Sequence, residues 1–178
     1  MSKKVLILSS SPRKGGNSDS LCDQFAKGAS EAGNDVEKIR LAEKNIGYCT
    51  GCYACQTSGK CVQNDDAREV LDKMMAADVI VLATPVYFYS MCAQLKTLID
   101  RSVAVYPNLT GKTFYYLITM AETDPQTLPG TVEALRGFLA CYEGSVEAGM
   151  IVGLGAYKKG EIQALPAWDE AYQTGRKV

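Results

Sequence analysis

The stretch Val5-Leu-Ile-Leu8, running straight into Ser9-Ser10-Ser11-Pro12-Arg13-Lys14-Gly15-Gly16-Asn17-Ser18, decides the fold. An unbroken apolar run is the mark of a strand covered on both faces, as in a parallel sheet flanked by helices. The Ser/Gly/Asn loop that follows cannot continue a strand, and the amphipathic run Ser18 to Ala32 after it reads as a helix. Working outward, the same alternation recurs. Strand-like runs at Val36 to Leu41, Val79 to Ala83, Thr113 to Thr119 and Val146 to Leu154 alternate with helical ones at Ala67 to Ala76, Met91 to Val103, Val132 to Ala140 and Ala164 to Gly175. This is a chain of βαβ units. The expectation is an α/β three-layer sandwich, a five-stranded doubly wound parallel sheet with about five helices, and a single domain over 1–178 with a cysteine-rich loop at 47–63. In such sheets ligands bind beyond the carboxyl ends of the strands. The irregular stretches Asn45 to Asp65, Thr84 to Ser90 and Met120 to Pro129 all follow predicted strands.

Composition narrows the chemistry. The chain has 178 residues, enough for one core, and 19 basic against 20 acidic side chains, a net charge of −1 that gives no field for nucleic acid or an anionic membrane surface. The N-terminal apolar run Val5 to Leu8 is too short for a signal-peptide core, so a cytoplasmic protein is expected. There is no histidine among the residues. That removes Ser-His-Asp and Cys-His nucleophiles, histidine metal sites and histidine proton shuttles, and leaves the chemistry to a cofactor, thiols or carboxylates.

The loop Ser9 to Ser20 is suited to a phosphate: free N–H groups at a helix N-terminus, hydroxyl and amide donors, and the Arg13 guanidinium. It lacks the Gly-Lys-Ser/Thr ending of a P-loop and the G-x-G-x-x-G spacing of a dinucleotide fold, so a phosphomonoester such as that of FMN is the better fit. Equally, it reads as a solvated turn with Asn17 or Ser18 capping the helix. Thr84-Pro85-Val86-Tyr87-Phe88-Tyr89-Ser90 offers an apolar and aromatic wall for a flat ring, though an aromatic turn also serves simple packing. Cys49, Cys52, Cys55 and Cys61 follow C-x2-C-x2-C-x5-C, two overlapping C-x2-C pairs of the kind that wraps a ferredoxin-type cluster; a buried thiol knot or a redox pair is the alternative. Cys22, Cys92 and Cys141 stand alone and read as small buried residues. Asp65 and Asp66 read as caps and first-turn acids of the next helix, Asp100-Arg101 as a surface or subunit-contact pair, and Trp168 with Tyr172 as packing.

Taken in order, Ser-Ser-Ser-Pro-Arg-Lys-Gly-Gly-Asn-Ser, Cys49-Thr-Gly-Cys-Tyr-Ala-Cys55 with Gly59-Lys-Cys61 and Asp65-Asp66, Ala83-Thr-Pro-Val-Tyr87, Leu95-Lys96 through Asp100-Arg101, and Lys159-Gly-Glu-Ile162 with Ala171 and Gly175 resemble the NADPH-dependent FMN reductase and iron–sulfur flavoprotein group of the flavodoxin-like superfamily, which implies a flavodoxin-like sandwich with its five parallel strands in the order 2-1-3-4-5. Ser10 stands where that group often has Gly. The resemblance implies FMN held by Ser9, Ser11, Arg13, Asn17, Ser18 and by Pro85, Val86, Tyr87, Phe88, with no catalytic side chain because the flavin carries the chemistry. It implies a 4Fe-4S cluster on Cys49, Cys52, Cys55 and Cys61, NAD(P)H or a ferredoxin as reductant, and a small acceptor such as a quinone, free flavin or oxygen species. A homodimer or homotetramer is implied too, since members of the group cover the flavin at subunit contacts. The alternative within the same resemblance is a non-enzymatic flavodoxin-type electron carrier.

Overall fold

A computed structural model describes residues 2–178; Met1 lies outside the described residues. The chain runs β1 (Lys4–Ser9), α1 (Asn17–Glu31), β2 (Asp35–Arg40), α2 (Ala54–Ser58), α3 (Ala67–Ala76), β3 (Val79–Tyr87), β4 (Ser90–Met91), α4 (Ala93–Arg101), β5 (Thr113–Met120), α5 (Pro129–Leu139), β6 (Val146–Leu154) and α6 (Pro166–Gly175). Five parallel strands lie in the order β2-β1-β3-β5-β6, and the two-residue β4 pairs antiparallel with the end of β3. The parallel strands therefore follow the expected order, with β4 as an addition. It arises because β3 does not stop at Ala83 but continues through Thr84-Pro85-Val86-Tyr87, and the chain turns back on itself. Pro85 is tolerated at the carboxyl end of that strand, where its missing N–H leaves the pairing beside Thr119 intact.

The sheet separates two cores by the parity of its side chains. Leu6, Leu8, Ile80, Leu82, Phe114 and Tyr116 point to one face, covered by α3, α4 and α5; Val5, Ile7, Val79, Val81, Tyr115 and Leu117 point to the other, covered by α1 and α6. On the second face two glycines set the packing distance. A Cβ on Gly28 of α1 would lie 2.2 Å from the Tyr172 carbonyl oxygen, and one on Gly175 of α6 would lie 2.3 Å from that of Phe25. The helices touch backbone to backbone, which no larger residue permits. Among the described residues no helix is long and apolar enough to cross a membrane.

Several expectations change here. Cys22 and Cys92 are buried, but Cys141 lies just beyond α5 and is exposed. Arg101 is no surface residue: it is 1% exposed and paired with Asp65, while Asp100 bonds Lys96 instead. Asp66 does not cap α3 either. Its carboxylate accepts the Asn45 N–H, and Asp65 takes the Ala67 N–H. The Asp66 bond to Asn45 and the Asp65 pair with Arg101 join segments far apart in sequence, which local rules could not foresee; the Asp65 bond to the Ala67 N–H is the local cap the sequence suggests.

Candidate functional site

The loop after β1 is built from below by an acid. Asp19, 3% exposed, accepts the Ser9 hydroxyl at 2.7 Å, the Gly15 N–H at 2.8 Å and the Lys38 ammonium at 3.2 Å, with the Arg40 guanidinium 3.1 Å away. Burial pushes its carboxyl up, but these donors outweigh that and hold it below the ordinary carboxylate range. The result is a loop drawn onto the sheet with its one buried anion already neutralised. Above it, α1 begins after Gly16 with no side-chain cap, so the N–H groups of Asn17, Ser18 and Asp19 have no partner inside the helix. They form the positive end of a 15-residue helix.

Ser11, Arg13, Asn17 and Ser18 line a hollow of about 140 Å3 at this end of the sheet, opposite Pro85, Val86 and Tyr87. Two loops the sequence assigned to different motifs thus form one site. Ser9 is the exception among the expected phosphate residues. Its hydroxyl is turned down onto Asp19 and it does not line the hollow. A second hollow of about 240 Å3 shares Val86 and adds Phe88, Tyr89 and Glu122. Phe88 is fully exposed there, and both Phe88 and Tyr89 adopt positive φ, 49° and 59°, in the turn from β3 to β4. Left-handed backbone at two aromatic residues in succession is unfavourable for L side chains.

The third wall was not assigned to the site from sequence. Asn17 donates from its amide to the Lys158 carbonyl at 2.9 Å and accepts the Gly160 N–H at 3.0 Å; Arg13 donates to the Tyr157 carbonyl at 3.2 Å. Ser18 and Thr119 share a hydroxyl hydrogen bond of 2.6 Å. The side chains of Asn17, Ser18 and Arg13 therefore fasten the end of β5 and the loop after β6, while the unpaired backbone donors of α1 remain for an anion. A terminal phosphate fits this chemistry, since it needs N–H groups, a guanidinium and no competing carboxylate. The sequence signal for the third wall was only the tail motif Lys159-Gly-Glu-Ile162, which carries no side chain of obvious chemistry.

A larger cavity, about 620 Å3, lies elsewhere. It is roofed by the cysteine segment and walled by Tyr106, Phe138 and Tyr142, and Cys49, Cys52, Cys55 and Cys61 all line it, as does Cys141. All are free thiols. Two hydrogen bonds, from the Ala54 N–H and the Thr50 hydroxyl, hold the Cys52 thiol below its ordinary range. Among the described residues no three cysteine or acidic side chains converge closely enough to hold a metal ion. The donor set is that of a sulfur-ligated cluster, but the segment lies open. It would have to close around a common centre to ligate one. The cavity and the two smaller hollows are neighbours: Met91 lines the former, Val86 the latter, and the two are cross-strand partners.

Comparison with known proteins adds three findings. The sequence profile described as NADPH-dependent FMN reductase matches residues 3–154. An iron-sulfur flavoprotein of Archaeoglobus fulgidus is 40% identical over 111 residues, covering 61% of this chain and 50% of that protein. The chain spans about half the length of the curated relatives it matches. Among solved structures, an azoreductase from Bacillus anthracis superposes with a TM-score of 0.77 at 19% identity over 100% of both chains. An FMN-dependent NADH-azoreductase from the same species, in complex with FMN, superposes with a TM-score of 0.77 at 14% identity over 98% of each chain. At these identities the likeness is one of fold.

Proposed function

The chain belongs to the NADPH-dependent FMN reductase family, and from that premise we propose that it binds FMN across the carboxyl ends of β1, β3 and β5 and works as an FMN-dependent oxidoreductase. The observation that carries this reading is the uncapped N-terminus of α1 opening, with Arg13, onto the hollow bounded by Pro85, Val86 and Tyr87. Backbone N–H groups of Asn17, Ser18 and Asp19 and the Arg13 guanidinium would take the phosphate. Ser11 adds a hydroxyl, and Asn17 and Ser18 hold the surrounding loops at the right separation. Pro85, Val86 and Tyr87 would give the ring an apolar wall, and Phe88 and Tyr89 a further aromatic surface over the neighbouring hollow.

Bound FMN would supply the redox chemistry, linking a hydride donor such as a reduced nicotinamide, or a one-electron donor such as ferredoxin acting twice, to a small acceptor such as a quinone, free flavin or oxygen species. The protein's part is to bind, orient and shield. A histidine-free site agrees with that division, because no proton shuttle is asked of it. The exposed Tyr87, Phe88 and Tyr89 are the surface on which a second copy would cover the flavin, making a homodimer or homotetramer. The test is direct: purified protein should carry a flavin released as FMN, bleached anaerobically by NADPH or NADH and reoxidised by an added quinone. Colourless protein that takes up no FMN on titration would remove the reading; bound flavin that is reduced but sustains no turnover with an added acceptor would leave an electron carrier.

The four thiols on one cavity wall favour a second element, a 4Fe-4S cluster held by Cys49, Cys52, Cys55 and Cys61 once the segment closes. Anaerobic iron and sulfide should then give about four irons per chain, abolished in Cys52→Ala. Protein that keeps FMN but retains no iron leaves a plain flavin reductase.

A further inference from the structure

The cysteine segment is poorly attached. Its short helix α2 contains no buried residue and starts from Tyr53 in left-handed backbone, and its tyrosines Tyr48 and Tyr53 are 78% and 68% exposed. The Ser58 hydroxyl bonds only within the segment, to the carbonyls of Ala54 and Lys60. One side chain from the folded body reaches both of its ends. The guanidinium of Arg101, at the end of α4, donates to the Gly47 carbonyl at 2.8 Å, two residues before Cys49. The same group donates to the Cys61 sulfur at 3.3 Å, to Gln63 at 3.2 Å and to both carboxylate oxygens of Asp65 at 2.6 and 2.9 Å. Asp65 closes the circle by accepting the Gly47 N–H at 2.9 Å.

We propose that Arg101 is the positioning residue of the cysteine segment: paired with Asp65, it fastens Gly47 to Cys61 and so keeps the four thiols on one wall of the cavity. The physical reasons are three. Pinning the two ends of a loop removes most of its freedom, and the pin here is buried, so water does not compete for its hydrogen bonds. A planar fork of N–H donors is needed to serve a carboxylate, a carbonyl, an amide and a sulfur at once; an ammonium on a flexible stem has too few donors in the wrong directions. And the sulfur it touches is that of Cys61, the most distant of the four in sequence, which the overlapping C-x2-C spacings do not themselves bring in. A hydrogen bond to sulfur also persists when that sulfur ligates iron, where such bonds adjust the potential. The role as fastener stands without a cluster; only its consequence for iron rests on the cluster reading above.

The experiment uses the full chain as purified with FMN, compared as wild type, Arg101→Lys and the double variant Arg101→Met with Asp65→Asn, which leaves no uncompensated buried charge. Hydrogen–deuterium exchange is read peptide by peptide, and iron is measured after anaerobic reconstitution. In the double variant, amides of residues 45–66 should exchange at least about tenfold faster while β1, β3 and α1 keep wild-type protection; Arg101→Lys should fall between. Iron retained per chain should drop in the same order. Unchanged exchange in residues 45–66 would overturn the proposal, and so would acceleration in equal measure throughout the sheet, which would mark Arg101 as a stabiliser of the whole fold. If the double variant does not fold, Arg101→Lys alone decides, by the same two criteria. Wild-type protein that takes up no iron, with the segment nevertheless loosened in the variants, would reject the cluster and keep the fastener.

Discussion

At the scale of single residues, the site separates groups that face a ligand from groups that hold the walls. Arg13 does both, because its guanidinium lies on the hollow and also donates to the Tyr157 carbonyl. Arg13→Ala should weaken FMN binding by about 1.5–3 kcal/mol, the range for a charge-assisted hydrogen bond, and leave riboflavin affinity nearly unchanged. Fluorescence titration with both ligands checks it. Equal losses would assign Arg13 to loop architecture and not to the phosphate. Ser9 makes the complementary case. It sits in the phosphate motif, yet its hydroxyl serves Asp19, so Ser9→Ala should act on FMN only through the loop's shape.

At the scale of elements, two features trade stability for placement. The β3–β4 turn puts Phe88 and Tyr89 in left-handed backbone that Asn-Gly adopts with far less strain. Replacing Phe88-Tyr89 by Asn-Gly should raise stability toward denaturant by about 1 kcal/mol while weakening flavin retention or self-association. A fall in the denaturation midpoint would mean that the aromatic rings pack within the monomer after all. The contact between α1 and α6 is the opposite case. Gly28→Ala would improve helix propensity by about 1 kcal/mol, but its Cβ meets a carbonyl oxygen at 2.2 Å, and such overpacking costs about 1–3 kcal/mol. Since backbone rather than a flexible side chain is the obstacle, the clash should win. Equilibrium unfolding should show a net loss, with FMN binding at the far end of the sheet unaffected.

At the scale of the molecule, two carboxylates, the buried Asp19 and the half-buried Asp65, tie loops to the folded body, and both sit below their ordinary range. Burial pushes Asp19 and Asp65 up, but hydrogen bonds from Ser9 and Gly15 in the one case, and from Arg101 and Gly47 in the other, bring the net down. For a carboxyl depressed in the folded state, the stabilisation is complete above the unfolded value of 3.8 and is lost as pH falls through the lower folded value. Stability should therefore hold down to about pH 4 and fall below it, and Asp19→Asn should flatten that fall at the expense of stability at neutral pH. Thermal melts of both proteins between pH 3 and 7 read the difference. An acid limb of the same steepness in the variant would place the titrating groups elsewhere.

The strands were legible because apolar runs such as Val5 to Leu8 and Val79 to Ala83 state their own burial: each residue's hydrophobicity and its neighbours' suffice, with no knowledge of what packs above, whereas their order came only with the family resemblance. The phosphate loop was legible for the same reason, since a helix start and its donors are local. The amino-acid sequence by itself thus determined a doubly wound parallel sheet and singled out the loops after β1 and β3 that border the hollow. Only the tertiary structure decided that Ser9 turns to Asp19, that the Tyr157 to Gly160 loop forms the third wall, and that Arg101 is buried against Asp65 under the cysteine segment. Each of these is a polar contact between residues 10 to 144 positions apart. Such contacts leave no period or spacing in the chain; they come into being only when the sheet has brought its carboxyl-end loops to one place.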